Sequence, residues 1–128
     1  MPNNILGSEG EGVNTPFVSL ENTYFIKSGV LNKNETYSTS KVIPKGIALG
    51  WNGTKYLVYD PDAHDGHEVF KGFLFEGVII KTDVNGDPYD VDISVCKGGV
   101  VDPSLVANWD AAILSEDLWT QNFTDASL

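Results

Sequence analysis

The chain contains no arginine. Its eight cationic side chains are all lysines, set against 18 Asp and Glu for a formal net charge of −10. Nucleic-acid binders need a cationic surface to release phosphate counterions, and arginine is their commonest base-reading residue. That balance excludes nucleic acid as a partner, and it disfavours an anionic membrane for the same reason. Cysteine is nearly absent as well: Cys96 stands alone, so no internal disulfide and no cysteine-built zinc site is expected. It falls in an alternating stretch and reads as a small buried hydrophobe, not as a reactive thiol. No apolar run approaches membrane-spanning length. The opening MPNNILGSEGEGVN lacks a charged region followed by an apolar core, so no export signal is expected there. The sequons at Asn34, Asn52 and Asn122 are accordingly read as incidental. Missing too are a Gly-x-Ser-x-Gly elbow, a phosphate-binding loop and a dinucleotide fingerprint, so nothing in the sequence argues for an enzyme or a cofactor.

What is present suits one small β-rich domain. At 128 residues and 41% hydrophobic content the chain can bury a single modest core. Residues 1–25 are expected to form a flexible N-terminal arm, with one domain over 26–128. The arm is rich in Asn, Gly, Ser, Glu and Thr up to Pro16, a composition too polar to offset the entropy of ordering. Strand-competent residues then return in Phe17-Val18-Ser19-Leu20 and Tyr24-Phe25-Ile26. Residues 32–40 read as a polar loop.

Asn52-Gly53 and Asn85-Gly86 each sit beside β-rich sequence, a strong hairpin signal because a type I′ turn needs positive φ at both central residues. Gly72 and Gly77 interrupt an apolar run from Val69 to Ile80, as bulges or bends that curl strands into a barrel do. Beyond the second turn, Tyr89, Val91, Ile93 and Val95 alternate with Asp90, Asp92, Ser94 and Cys96, giving one dry face and one wet. Asp102-Pro103 reads as a helix start, and Leu105, Val106, Trp109, Ala112 and Ile113 follow at helical spacing. A further short turn carries Leu118 and Trp119, and the last residues are expected to fray. The fold expected is thus a small antiparallel β-barrel-like domain with short C-terminal helices.

The densest cluster of chemistry-bearing residues is the 60–68 loop, with Asp60, Asp62, His64, Asp65, His67 and Glu68 in nine positions. Such a set could gather a divalent metal for hydrolysis. Turn chemistry, with Asp side chains satisfying backbone N–H groups, explains a single Asp-Pro and Asp-Gly loop better, and no metal ligand or catalytic residue is assigned. The stretch from Asp83 has Pro88 and Ser94 where a calcium loop needs glycine and glutamate, so it reads as a turn. Asp90 and Asp92 have the residue type of a glycosidase pair but alternate on a wet strand face. Trp51, Tyr56, Tyr59, Phe70, Phe73 and Phe75 read mostly as core, with a sugar- or receptor-binding face as the alternative. Trp109 and Trp119 could mark a subunit contact.

Order and spacing then carry a resemblance. Gly46-Ile-Ala-Leu-Gly50 after Pro44, Gly53-Thr-Lys-Tyr56, Tyr59-Asp60-Pro61, Asp65-Gly66, Lys71-Gly72-Phe73-Leu74 and Val95-Cys96-Lys97-Gly98-Gly99-Val100 are similar to head-decoration proteins of lambda-like tailed phages. The similarity covers roughly residues 27–120. His64, His67 and the acidic strand before Cys96 depart from the family pattern. The resemblance implies a homotrimer on the exterior of the virion, bound to the major capsid protein at local three-fold sites and stabilising the expanded head. It also implies an arm that orders on the shell, for which Phe17, Val18, Leu20, Tyr24 and Phe25 are the candidate contact residues.

Overall fold

The computed structural model describes residues 16–17 and 25–126. In chain order the strands are β1 (Phe25–Leu31), β2 (Val42–Ile43), β3 (Ala48–Trp51), β4 (Tyr56–Val58), β5 (Gly72–Leu74), β6 (Val78–Ile79), β7 (Val91–Val101) and β8 (Phe123–Asp125). Five of them close a barrel in the order β1-β4-β3-β5-β7, with β7 returning to β1. The closing seam is the longest pairing, antiparallel from Phe25↔Gly98 to Leu31↔Val91. β1 meets β4 in parallel at Leu31↔Tyr56. Closure returns β7 to β1 along the whole of β1, whereas β1 meets β4 only at Leu31, so among the described residues positions 25–30 are paired on one edge alone. β2 and β6 form a separate two-stranded ribbon.

The barrel strands bury both faces. Inward, Leu31, Ile47, Leu49, Tyr56, Leu74, Ile93 and Val95 fill the interior with Ile43 and Ile80. Outward, Ala48, Phe73 and Cys96 join Phe17, Tyr59, Phe70, Val101, Val106, Ile113, Trp119 and Phe123 in a second core beneath the C-terminal segment. Adjacent residues such as Phe73 and Leu74 are therefore both wholly buried, each in a different core. Cys96 is buried as expected, but the dry-and-wet reading of its strand fails at both ends. Cys96 lies on the supposed wet face and is fully buried, because the C-terminal segment covers it; Tyr89 lies on the supposed dry face and is 46% exposed.

Other departures have local causes. The Asn52-Gly53 hairpin forms between β3 and β4, but Asn52 does not share the positive φ of Gly53. Asn52 instead stays outside the left-handed region and its Oδ1 accepts the Thr54 and Lys55 N–H groups at 2.9 Å each, so a side-chain bracket replaces the type I′ turn. At Asn85-Gly86 only a Thr82↔Pro88 bridge forms, and Asp83 Oδ1 accepts the Asn85 and Asp87 N–H groups. The apolar residues before it pair with β2, leaving β7 to β1 and β5.

The tail is two 3-10 helices, Pro103–Leu105 and Ala111–Ser115, then helix α1 (Asp117–Asn122), not one continuous stripe. Asp102 caps the first as expected, its Oδ1 accepting the Ser104 N–H. Asp110 then caps a fresh turn through the Ala112 N–H, which breaks the helical run. Of the end expected to fray, residues 127–128 lie outside the described residues, while β8 just before them adds in parallel to β7 at Gly99↔Phe123 and Val101↔Asp125. Trp119 is 6% exposed and stacks on Phe123 at 5.4 Å, with Trp109 at 5.2 Å on its other side. Trp119 belongs to the outer core, and Trp109 packs against it half-buried.

Candidate functional site

Of the expected arm contacts, Val18, Leu20 and Tyr24 lie outside the described residues, as does most of the 1–25 arm. Phe17 is 8% exposed, bridges Val101 and packs on Phe75 at 5.1 Å. It belongs to the body of the domain. Pro16 accompanies it, accepting the Asp102 N–H at 2.8 Å. Phe25, by contrast, heads β1 with 52% exposure, and Ile26 beside it has 38%. A second exposed apolar pair, Val42 and Ile79, faces across the β2–β6 ribbon, each 54% exposed. It borders a cavity of about 470 Å³ lined by Val42, Ile43, Pro44, Gly77, Val78, Ile79 and Lys81.

The 60–68 loop forms a different site from the one its composition suggests. His64 is exposed, while His67 turns inward and is held by two carboxylates. His67 Nδ1 lies 2.6 Å from Asp65 Oδ1, and Nε2 lies 3.0 Å from each carboxylate oxygen of Glu35. Glu35 comes from the polar 32–40 loop, is buried, and also accepts the Val58 N–H at 2.6 Å. No sequence signal marked Glu35, because its importance comes from a partner 32 positions away. These groups floor a groove of about 330 Å³ walled by Asn34, Tyr37, Tyr59, Asp60 and Asn108.

Both ring nitrogens of His67 face carboxylates. An imidazole working as a general base needs one nitrogen free to take a proton from a nucleophile. Here the two carboxylates favour a doubly protonated ring, and the arrangement ties two loops together instead. Burial alone pushes the His67 imidazole down; the Asp65 hydrogen bond and the Glu35 charge outweigh it and leave the ring above its ordinary value. The same bond holds the Asp65 carboxyl below the usual carboxylate range.

The remaining candidates resolve similarly. Among the described residues no group of three or more His, Cys, Asp or Glu is placed to hold a metal ion. Asp90 pairs with Lys55 at 2.7 Å and accepts the Lys33 N–H; the Lys55 bond lowers its pKa, the reverse of what a proton-donating acid needs. Tyr56, Tyr59, Phe70 and Phe73 are buried, so they offer no sugar-stacking platform. Burial raises the Cys96 thiol to about 11, against its ordinary reactivity. Among the described residues no helix is long and apolar enough to cross a membrane.

A second polar residue, besides Glu35, escaped the sequence reading. Asn108 Oδ1 accepts the Ala48 N–H at 2.7 Å, and its Nδ2 donates to Ala48 O at 3.0 Å and Tyr59 O at 3.1 Å. Its amide thus extends the backbone ladder between β3 and the end of β4. No family model and no curated protein matches the chain.

Proposed function

We propose that the chain is a phage capsid decoration protein: a homotrimer that seats on the exterior of the expanded head at local three-fold sites and holds it against the pressure of packaged DNA. The observation that carries this reading is the exposed apolar start of β1. Phe25 and Ile26 stand in solvent immediately after the segment that would reach the shell. The preceding segment, with Val18, Leu20 and Tyr24 as its apolar contacts, is the strand that would be added on the shell. Its backbone gains hydrogen bonds only when the major capsid protein supplies an edge, which ties ordering to docking.

Three such contacts on one trimer multiply weak affinities into avidity. A ligand that binds the mature lattice and not its compact precursor shifts the equilibrium toward the mature form. The −10 charge suits the outer surface of a shell, away from the genome. In this reading the protein acts by binding, as part of the virion, and turns over no substrate.

Electron microscopy of heads assembled with and without the protein tests the proposal, alongside light scattering of the free protein. Added density at the three-fold positions and a trimeric mass are expected. A monomer that leaves the reconstruction of mature heads unchanged would sink it.

A further inference from the structure

We propose that the Lys97 end of the barrel is an anion-binding site, built to take a carboxylate or phosphate group. Alternation along β7 points Ile93 and Val95 into the barrel, and Lys97 continues the same side at its mouth. Its Nζ donates to Tyr56 Oη at 3.2 Å and to Lys71 O at 3.1 Å, and sits 5.5 Å from the centroid of the Tyr56 ring. Lys27 lies across the seam opposite Val95, on the side of β1 that also carries Gly29 and Leu31. Gly29 makes room for the phenol: a Cβ there would come within 2.5 Å of Tyr56 Cε2. Lys27 and Lys71 both act electrostatically on the Tyr56 hydroxyl, and Lys27 acts on Lys97. Lys97 contacts the Tyr56 hydroxyl directly, and the charges of Lys27 and Lys71 are felt there.

None of the three has an anionic partner among the described residues, whose ion pairs are Lys55 with Asp90 and His67 with Glu35 and Asp65. None of the described carboxylates forms an ion pair with the half-buried Lys97 ammonium. Burying like charges together is unfavourable without a counter-charge. Lys97 has three N–H donors and spends two of them internally. The third, together with the Tyr56 O–H, free to donate while it accepts from Lys97, offers donors to an anion's oxygens, and the exposed Lys27 ammonium adds positive charge nearby. The acidic body repels anions at long range, so an anion is taken up at contact distance and by charge-assisted bonds.

The test is a titration of the full chain, followed by NMR at Tyr56 and the lysine ammonium groups. The probes are inorganic phosphate and a glutamate-rich peptide, each at matched ionic strength. A saturable shift is expected in at least one titration. Lys27→Gln should weaken it about tenfold and Lys97→Met should abolish it, with the Lys27 variant, altered at an exposed position, serving as the fold-preserving control. Saturation by the peptide alone assigns the site to a protein carboxylate; saturation by phosphate alone assigns it to a phosphate ligand. No saturable shift with either probe, or an unchanged midpoint in Lys27→Gln, overturns the proposal.

Discussion

Glu35 and His67 show how a residue's surroundings decide its chemistry. A histidine in an acidic loop has the type of a metal ligand or a base, yet His67 is a clasp between two loops, with a carboxylate on each nitrogen. Because its pKa is raised on folding, the stabilisation is complete below about pH 6.5, where folded and unfolded chains both carry the proton. It fades as pH climbs through the higher folded value and the ring loses its charge. His67→Gln should therefore cost on the order of 1 kcal/mol near pH 6 and much less near pH 9. Urea melts of both proteins across that range would check it, and a pH-independent gap would contradict the clasp. Cys96 was legible from its residue type, since a lone cysteine within a strand behaves as a small buried hydrophobe. Glu35 was not, because nothing near it in sequence announces a buried acid.

At the scale of elements, alternation placed the inward residues Ile93 and Val95 correctly but failed for Cys96. Period two reports which residues share a face; it does not report whether a second layer covers the other face. The C-terminal segment supplies that layer through Ile113, Trp119 and Phe123, far along the chain from the strands they cover. The broken helix has an equally non-local cause. Asn108 sits within the stripe from Leu105 to Ile113, and its amide is claimed by the backbone of Ala48 and Tyr59. Those bonds hold the segment off helical geometry until Asp110 starts a new turn. Asn108→Ala should leave the Ala48 N–H without its acceptor and cost about 1–3 kcal/mol. Thermal unfolding measures this directly; a loss near zero would mean that water replaces the amide without penalty.

For the molecule as a whole, the closed barrel came through in the sequence because turn residues and glycines mark where strands bend. Its two-core construction did not, since one stretch of alternating residues serves both cores. The body's independence from the arm has a sharp test. Substituting Val18, Leu20 and Tyr24 together by Ser, with Pro16 and Phe17 kept in place, should leave the barrel's circular dichroism and oligomeric mass unchanged. Attachment to mature heads, followed by co-sedimentation, should weaken by more than about tenfold if three arms act together. Equal attachment would remove the arm from the docking mechanism.

Val101 is where distant parts of the polypeptide are fastened. Phe17 bridges it from one side, Asp125 pairs with it on β8, and its carbonyl accepts the Ala126 N–H. Positions 17 and 125 thus flank Val101 on its two edges, one strand apart across β7. Such a molecule tolerates re-cutting: joining the two positions through a short linker that crosses β7, and opening the chain at Asn85-Gly86, should preserve the barrel pairings. It also means that Pro16 and Ala126, the two ends of the described body, are both anchored at one step of β7, through Asp102 and Val101.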